Sequence, residues 1–225
     1  MDAQRILENV RTCQSAMEKV ARGPVEIMAV TKTQSAETAN AVWAAGIRKL
    51  GENLVQELLE KFPALNPGFS VELIGQLQTN KVKYTLDNVA RVQSLDRMAL
   101  ALEIDRRAGA RGRVMPCLVE VNIAREPQRG GVMEEDLEAF VRDASKLENL
   151  RVEGLMAVMP ITKTPEQARP YFRRMHTWFE RLRDAGIPGA FMECLSMGMS
   201  GDYLMAAEEG STLVRLGSAI FGYRT

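Results

Sequence analysis

The sequence has little of what marks a stapled, metal-bound or membrane chain. Its three cysteines, Cys13, Cys117 and Cys194, stand far apart in 225 residues. An odd, widely spaced set with no Cys-x-x-Cys argues against a disulfide framework and the common zinc motifs, and suits a reducing compartment. Cys117 and Cys194 lie in apolar runs and read as inert core residues. The one histidine, His176, sits in Arg174-Met175-His176-Thr177-Trp178. One histidine cannot build a metal site, so a structural or surface role is expected. No apolar run approaches the roughly 20 residues that cross a bilayer. The start, Met1-Asp2-Ala3-Gln4-Arg5, lacks the apolar core of a signal peptide. Neither charge sign is in excess, with 29 basic and 29 acidic residues. That balance removes any global pull toward nucleic acid or anionic lipid. The expectation is a cytoplasmic protein without nucleic-acid or membrane partners.

What is present alternates between two periods. Residues 4–21 place Ile6, Leu7, Val10, Met17 and Val20 on one side of a helix that Gly23-Pro24 ends. The run from Val25 to Thr31 is then rich in β-branched residues. Ser35 is placed to cap a second helix running through Trp43 and Ala45. The unit recurs, with strands expected over 49–51, 71–75, 90–94, 116–121, 152–156, 191–196 and 213–217. Helices are expected over 98–108, 134–147, 165–185 and 202–209. Short apolar runs between amphipathic helices indicate a buried parallel sheet. Eight of them in this length favour a single (β/α)8 barrel over 1–225, with an open doubly wound sheet as the alternative. In a barrel, chemistry belongs at the C-terminal strand ends.

Candidate functional residues therefore lie at and just after these runs. Lys32 follows the first strand, where a lysine is either a solvated loop residue or an amine able to form a Schiff base. The latter requires a partly dry pocket. Asn53 follows the second strand as a cap or a ligand contact, beside Glu52 and Glu57, which suit a first helical turn. Ser196-Met197-Gly198-Met199-Ser200-Gly201 joins the seventh strand to a helix, a turn able to hold phosphate. Arg215 lies within the eighth strand, where a cation is costly unless paired or bound. Gly217, with Ser218 beside it, lets a ligand approach the backbone. Lysine at the first strand and two phosphate-ready loops at the seventh and eighth favour a phosphorylated, carbonyl-bearing ligand. A cofactor-free aldolase barrel acting on a phosphosugar, and a scaffold barrel in which a carboxylate neutralises Arg215, stay open.

At these residues the sequence resembles the pyridoxal phosphate homeostasis protein family, the YggS/PROSC group. The matching blocks are Ala29-Val30-Thr31-Lys32-Thr33, Gly51-Glu52-Asn53, Leu77-Gln78-Thr79-Asn80-Lys81, Leu195-Ser196-Met197-Gly198-Met199-Ser200 and Arg215-Leu216-Gly217. The resemblance implies a barrel like the N-terminal domain of alanine racemase, PLP fold type III. It implies pyridoxal 5′-phosphate held as a Schiff base on Lys32. Ser196, Ser200, Gly217 and Ser218 would hold the phosphate, Arg215 would face the pyridine nitrogen, and Asn53 would lie near the ring. A cation at that nitrogen disfavours its protonation and weakens the ring as an electron sink.

The family buffers and delivers the cofactor. The resemblance therefore implies intracellular homeostasis, with indirect effects on amino- and keto-acid balance and no robust catalysis. PLP-dependent apo-enzymes would be the recipients, and a monomer or weak dimer the working form. Racemases add a C-terminal β-domain carrying a second base. The sequence runs to Thr225 without one, so an open face is expected and racemase-like turnover is the lesser alternative. Two departures stand out. Val71-Glu72-Leu73 replaces an aromatic-His-Phe run, and Arg129 stands where lysine is frequent.

Overall fold

The computed structural model describes residues 3–222; Met1 and Asp2 of the N-terminal reading, and residues 223–225, lie outside them. Ile6, Val10, Cys13 and Met17 recur at helical spacing and form the buried stripe of α1 (Ala3–Glu18). Eight strands follow: β1 (Glu26–Val30), β2 (Lys49–Glu52), β3 (Ser70–Leu73), β4 (Arg91–Leu95), β5 (Met115–Glu120), β6 (Leu150–Met156), β7 (Ala190–Met199) and β8 (Leu213–Leu216). Each pairs in parallel with the next, and β8 pairs with β1, with Met28 opposite Arg215. Closure removes the open-sheet alternative.

Between strands run α2 (Ala36–Ala41), α3 (Val55–Lys61), α4 (Val82–Thr85), α5 (Met98–Gly109), α6 (Glu134–Ala144), α7 (Arg169–Asp184) and α8 (Tyr203–Glu208). A last turn, α9 (Ser218–Phe221), follows β8. Ser35 caps α2 as expected, its hydroxyl accepting from Thr38 N. The expected helix through Ala45 instead tightens into a 3-10 turn over Val42–Ala45, which Gly46 ends. The segment expected as one helix from 165 begins as a 3-10 turn before α7. Pro170, which has no N–H to give, sits at the start of α7.

The period of two sorts each strand. Val71 and Leu73, Val92, Leu195, and Val214 and Leu216 face outward into the layer shared with the helices. Met28, Leu118, Met156, Cys194 and Leu213 pack inside the barrel. By the same alternation Glu72, Gln93, Ser196 and Arg215 point inward, and all four are buried. The barrel is therefore apolar around its waist and polar along one internal line. Register shifts interrupt the β4–β5, β5–β6, β6–β7 and β7–β8 ladders, and such bulges re-aim side chains near a site.

Candidate cofactor site

Lys32 sits on a tight turn whose placement is set from below. Gln34 N donates to Thr31 O at 3.0 Å, closing the turn, and Thr33 takes a left-handed φ of 61°. A β-branched residue avoids that region unless its surroundings over-determine it. They do so here. The Thr33 N–H donates to the Glu57 carboxylate and the buried Thr31 hydroxyl donates to the Glu52 carboxylate. Lys61 Nζ donates to Thr31 O (2.6 Å), Glu52 Oε1 (2.7 Å) and Glu57 Oε1 (3.1 Å). Glu52 and Lys61 are both buried. Glu57 does lie in the first turn of α3, but it also grips the lysine turn. Nothing in the sequence singled out Lys61; a lysine in the last turn of a short helix reads as solvated.

The Lys32 side chain is exposed at the rim of a cavity of about 840 Å³, not enclosed in the dry pocket anticipated for it. Asn53, half-buried after β2, lines the same cavity. Its position depends on Gly75, where an added Cβ would come 2.2 Å from Asn53 O.

The opposite wall comes from the ends of β7 and β8. Gly198 has a φ of 95°, and a Cβ there would lie 2.4 Å from the Cβ of Ala206, so only glycine lets β7 pass this close to α8. Asp202 then ties the turn, accepting from Met199 N at 2.6 Å, while burial pushes its carboxyl upward. Ser200 Oγ accepts from Gly217 N (3.1 Å) and Ala219 N (3.0 Å). With both acceptor positions taken, its own hydrogen is left to donate. Ser200, Gly217 and Ser218 all line the cavity. The space beside Gly217 is open, since a Cβ there would touch nothing nearer than Val30 at 3.7 Å.

Arg215 completes the wall and is 3 % exposed. Neutral oxygens hold it: Ser196 Oγ (2.6 Å), Ser196 O (2.9 Å) and Ala157 O (2.8 Å). Burial pulls its guanidinium down to about 10, while the Glu120 and Asp202 charges act the other way from a distance. It remains a cation at neutral pH. The carboxylate partner that a scaffold barrel requires is not found among the described residues.

Ser196 departs from expectation. It is fully buried and does not line the cavity. Its hydroxyl accepts from Arg215 and donates to Gln93 Oε1 at 2.7 Å, which leaves no proton for a phosphate. Its contact is with the arginine, inside the barrel. Of the two departures from the family pattern, Glu72 is buried and accepts from Gln93 Nε2 at 2.7 Å. Arg129 donates to Val158 O (2.8 Å) and Met159 O (3.0 Å), tying down the loop after β6. Glu120, the last residue of β5, carries no local pattern in the sequence that marks it as a site residue. Burial, with the Asp96 charge second, raises its carboxyl to about 7.

The remaining candidates fall into structural places. All three cysteines are buried and free, and burial pushes the Cys194 thiol up to about 11. His176 is half-buried on α7, 3.9 Å from Glu180. No described helix is long and apolar enough to cross a membrane.

An exposed amine, a buried cation held by neutral oxygens, and hydroxyl donors thus converge on one cavity. Such a set can capture a carbonyl while neutralising a phosphate or an aromatic nitrogen. The sequence matches the alanine racemase N-terminal domain family over residues 1–225. A pyridoxal phosphate homeostasis protein of Aquifex aeolicus is 39% identical over 98% of this chain and 96% of that protein. One from Pasteurella multocida is 34% identical over 98% and 97%. The solved structure of PipY from Synechococcus elongatus, with PLP bound, superposes with a TM-score of 0.86 at 32% identity, covering 96% of this chain and all of that one. Alanine racemase of Clostridium difficile shares the fold, with a TM-score of 0.77 at 15% identity over 96% of this chain and 60% of its own. By these matches and by its closed eight-stranded barrel, the chain belongs to the alanine racemase N-terminal domain family and, within it, to the pyridoxal phosphate homeostasis proteins.

Proposed function

We propose that this protein binds pyridoxal 5′-phosphate in the cavity at the barrel mouth, as a Schiff base on Lys32, and takes part in intracellular homeostasis of that cofactor as a single-domain cytoplasmic protein. The observation that carries the reading is Arg215: a buried cation on the cavity wall, held by three neutral oxygens and, among the described residues, by no carboxylate. A cation kept dry at that cost fits an anionic or lone-pair-bearing ligand. The other lining residues suit the same cofactor. Ser200 keeps a hydroxyl hydrogen to donate, Ser218 adds a hydroxyl, and the open space at Gly217 admits a phosphate close to the backbone. Asn53 lies on the cavity wall to orient the ring. When bound, pyridoxal phosphate supplies an aldehyde that an amine captures reversibly.

The residues of this chain divide the work. The clamp of Lys61, Glu52 and Glu57 fixes the turn that presents Lys32. Arg215 holds positive charge against the ligand without taking up a proton, because a guanidinium is already protonated at neutral pH and has donors but no acceptor. An exposed Lys32 at an open rim favours loading and release over water-excluded chemistry. That geometry supports buffering and delivery to PLP-dependent apo-enzymes by a monomer or weak dimer, without robust catalysis, over a racemase-like role.

The test is absorbance of purified protein with added pyridoxal phosphate, before and after borohydride, for wild type and Lys32→Ala. A reducible band in wild type and none in the variant is expected. No band in wild type with the cofactor in excess would overturn the reading. Conversion of an L-amino acid to its D-form at enzyme-like rates would overturn its non-catalytic part.

A further inference from the structure

A polar thread crosses the barrel interior beneath the cavity. Arg215 donates to Ser196 Oγ at 2.6 Å, Ser196 Oγ donates to Gln93 Oε1 at 2.7 Å, and Gln93 Nε2 donates to Glu72 Oε2 at 2.7 Å. All four side chains are buried, Ser196 and Gln93 completely. The ends of this thread set its direction. A guanidinium only donates and a carboxylate only accepts. The serine hydrogen must therefore turn to Gln93, and the amide must turn its nitrogen to Glu72. Reversing one link would set two donors or two acceptors face to face in a dry interior. An amide suits the middle place because it accepts at one atom and donates at the other. Arg91, 3.9 Å from the same Glu72 oxygen, supplies countercharge at the far end.

We propose that Gln93 is a positioning residue: through Ser196 it locks the Arg215 guanidinium against the cavity wall, so that the cation meets the bound cofactor in one orientation. This rests on the function proposed above. Among the described residues Arg215 is otherwise held only by two backbone carbonyls, and the charges that face it, Glu120 and Asp202, lie beyond ion-pair distance. Without the chain, the Ser196 hydroxyl is free to rotate away, and the arginine loses a side-chain acceptor.

The experiment uses full-length protein loaded with pyridoxal phosphate, comparing wild type, Gln93→Met, Ser196→Ala and the double variant. Three quantities are read: the borohydride-reducible band, the pH midpoint of that band, and the rate of cofactor release on dilution. Each single variant is expected to keep the band, shift its midpoint, and release cofactor about tenfold faster, the value of one hydrogen bond to a charged group. The double variant is expected to be no worse than either single, because one chain is cut once or twice. A wild-type midpoint and release rate in either single, or effects that multiply in the double, would overturn the assignment. Should Gln93→Met fail to fold, Ser196→Ala, which removes a single oxygen, carries the same readouts. Absence of the band in wild type would instead mark failure of the functional reading itself.

Discussion

Replacing Lys61 by methionine tests how the turn that presents Lys32 is held. The Lys61 side chain is 6% exposed and Glu52, its closest carboxylate partner, is 0% exposed. Methionine fills a similar volume but leaves the Glu52 charge buried and unpaired. One Glu52 oxygen, Oε2, already has no hydrogen-bond partner among the described residues, so little remains to compensate. Removing one member of a buried pair costs about 3–5 kcal/mol. The contact to Glu57, which is partly exposed, adds little. For a chain of this size each kcal/mol moves the melting temperature by roughly 2–4 °C, so Lys61→Met should melt about 6–20 °C lower. Thermal unfolding followed by circular dichroism measures this directly. Adding Glu52→Gln removes the orphaned charge and should recover part of the loss. A decrease below about 1 kcal/mol, the worth of an exposed pair, would refute the reasoning. So would a double variant no more stable than the single.

Two further outcomes follow from the same geometry. Ser200→Ala removes a cavity hydroxyl with both acceptor positions filled and its hydrogen left over. Affinity for pyridoxal phosphate should fall roughly tenfold or more, and affinity for pyridoxal, which lacks the phosphate, should hold. Equal losses for both ligands would contradict the placement of the phosphate. Glu120 is raised from 4.5 to about 7, first by burial and then by the Asp96 charge. A carboxyl whose folded value is raised binds its proton more tightly in the folded state, so it favours folding at low pH. That contribution, on the order of 3 kcal/mol, is lost as pH climbs from 4.5 through about 7. Glu120→Gln should flatten stability between pH 5 and 8 and gain on wild type at the upper end. Parallel stability–pH curves for the two proteins would exclude this role for Glu120.

Much of the molecule was legible in the sequence because periodicity is local. Eight short apolar runs, several of them followed by a helical pattern, placed every strand to within a few residues. The same pattern put Lys32, Asn53, Ser200, Gly217 and Ser218 at or just past C-terminal strand ends and Arg215 within the last strand, and in the structure these six line one cavity. What the sequence could not decide was partnership. Ser196 reads as one more hydroxyl in a phosphate-type turn. Only closure of the barrel, which brings β4 and β7 across its interior, turns that hydroxyl to Gln93 and Arg215. Lys61 reads as a solvated helix end, and only the docking of α3 beneath the β1 turn buries it against Glu52. Nothing in the sequence pairs Glu72 with Gln93; their hydrogen bond forms because both face the barrel interior. Local pattern determines which face of an element is buried. What lies across from that face, and hence whether a buried polar group is satisfied, is decided by contacts between residues far apart in the chain.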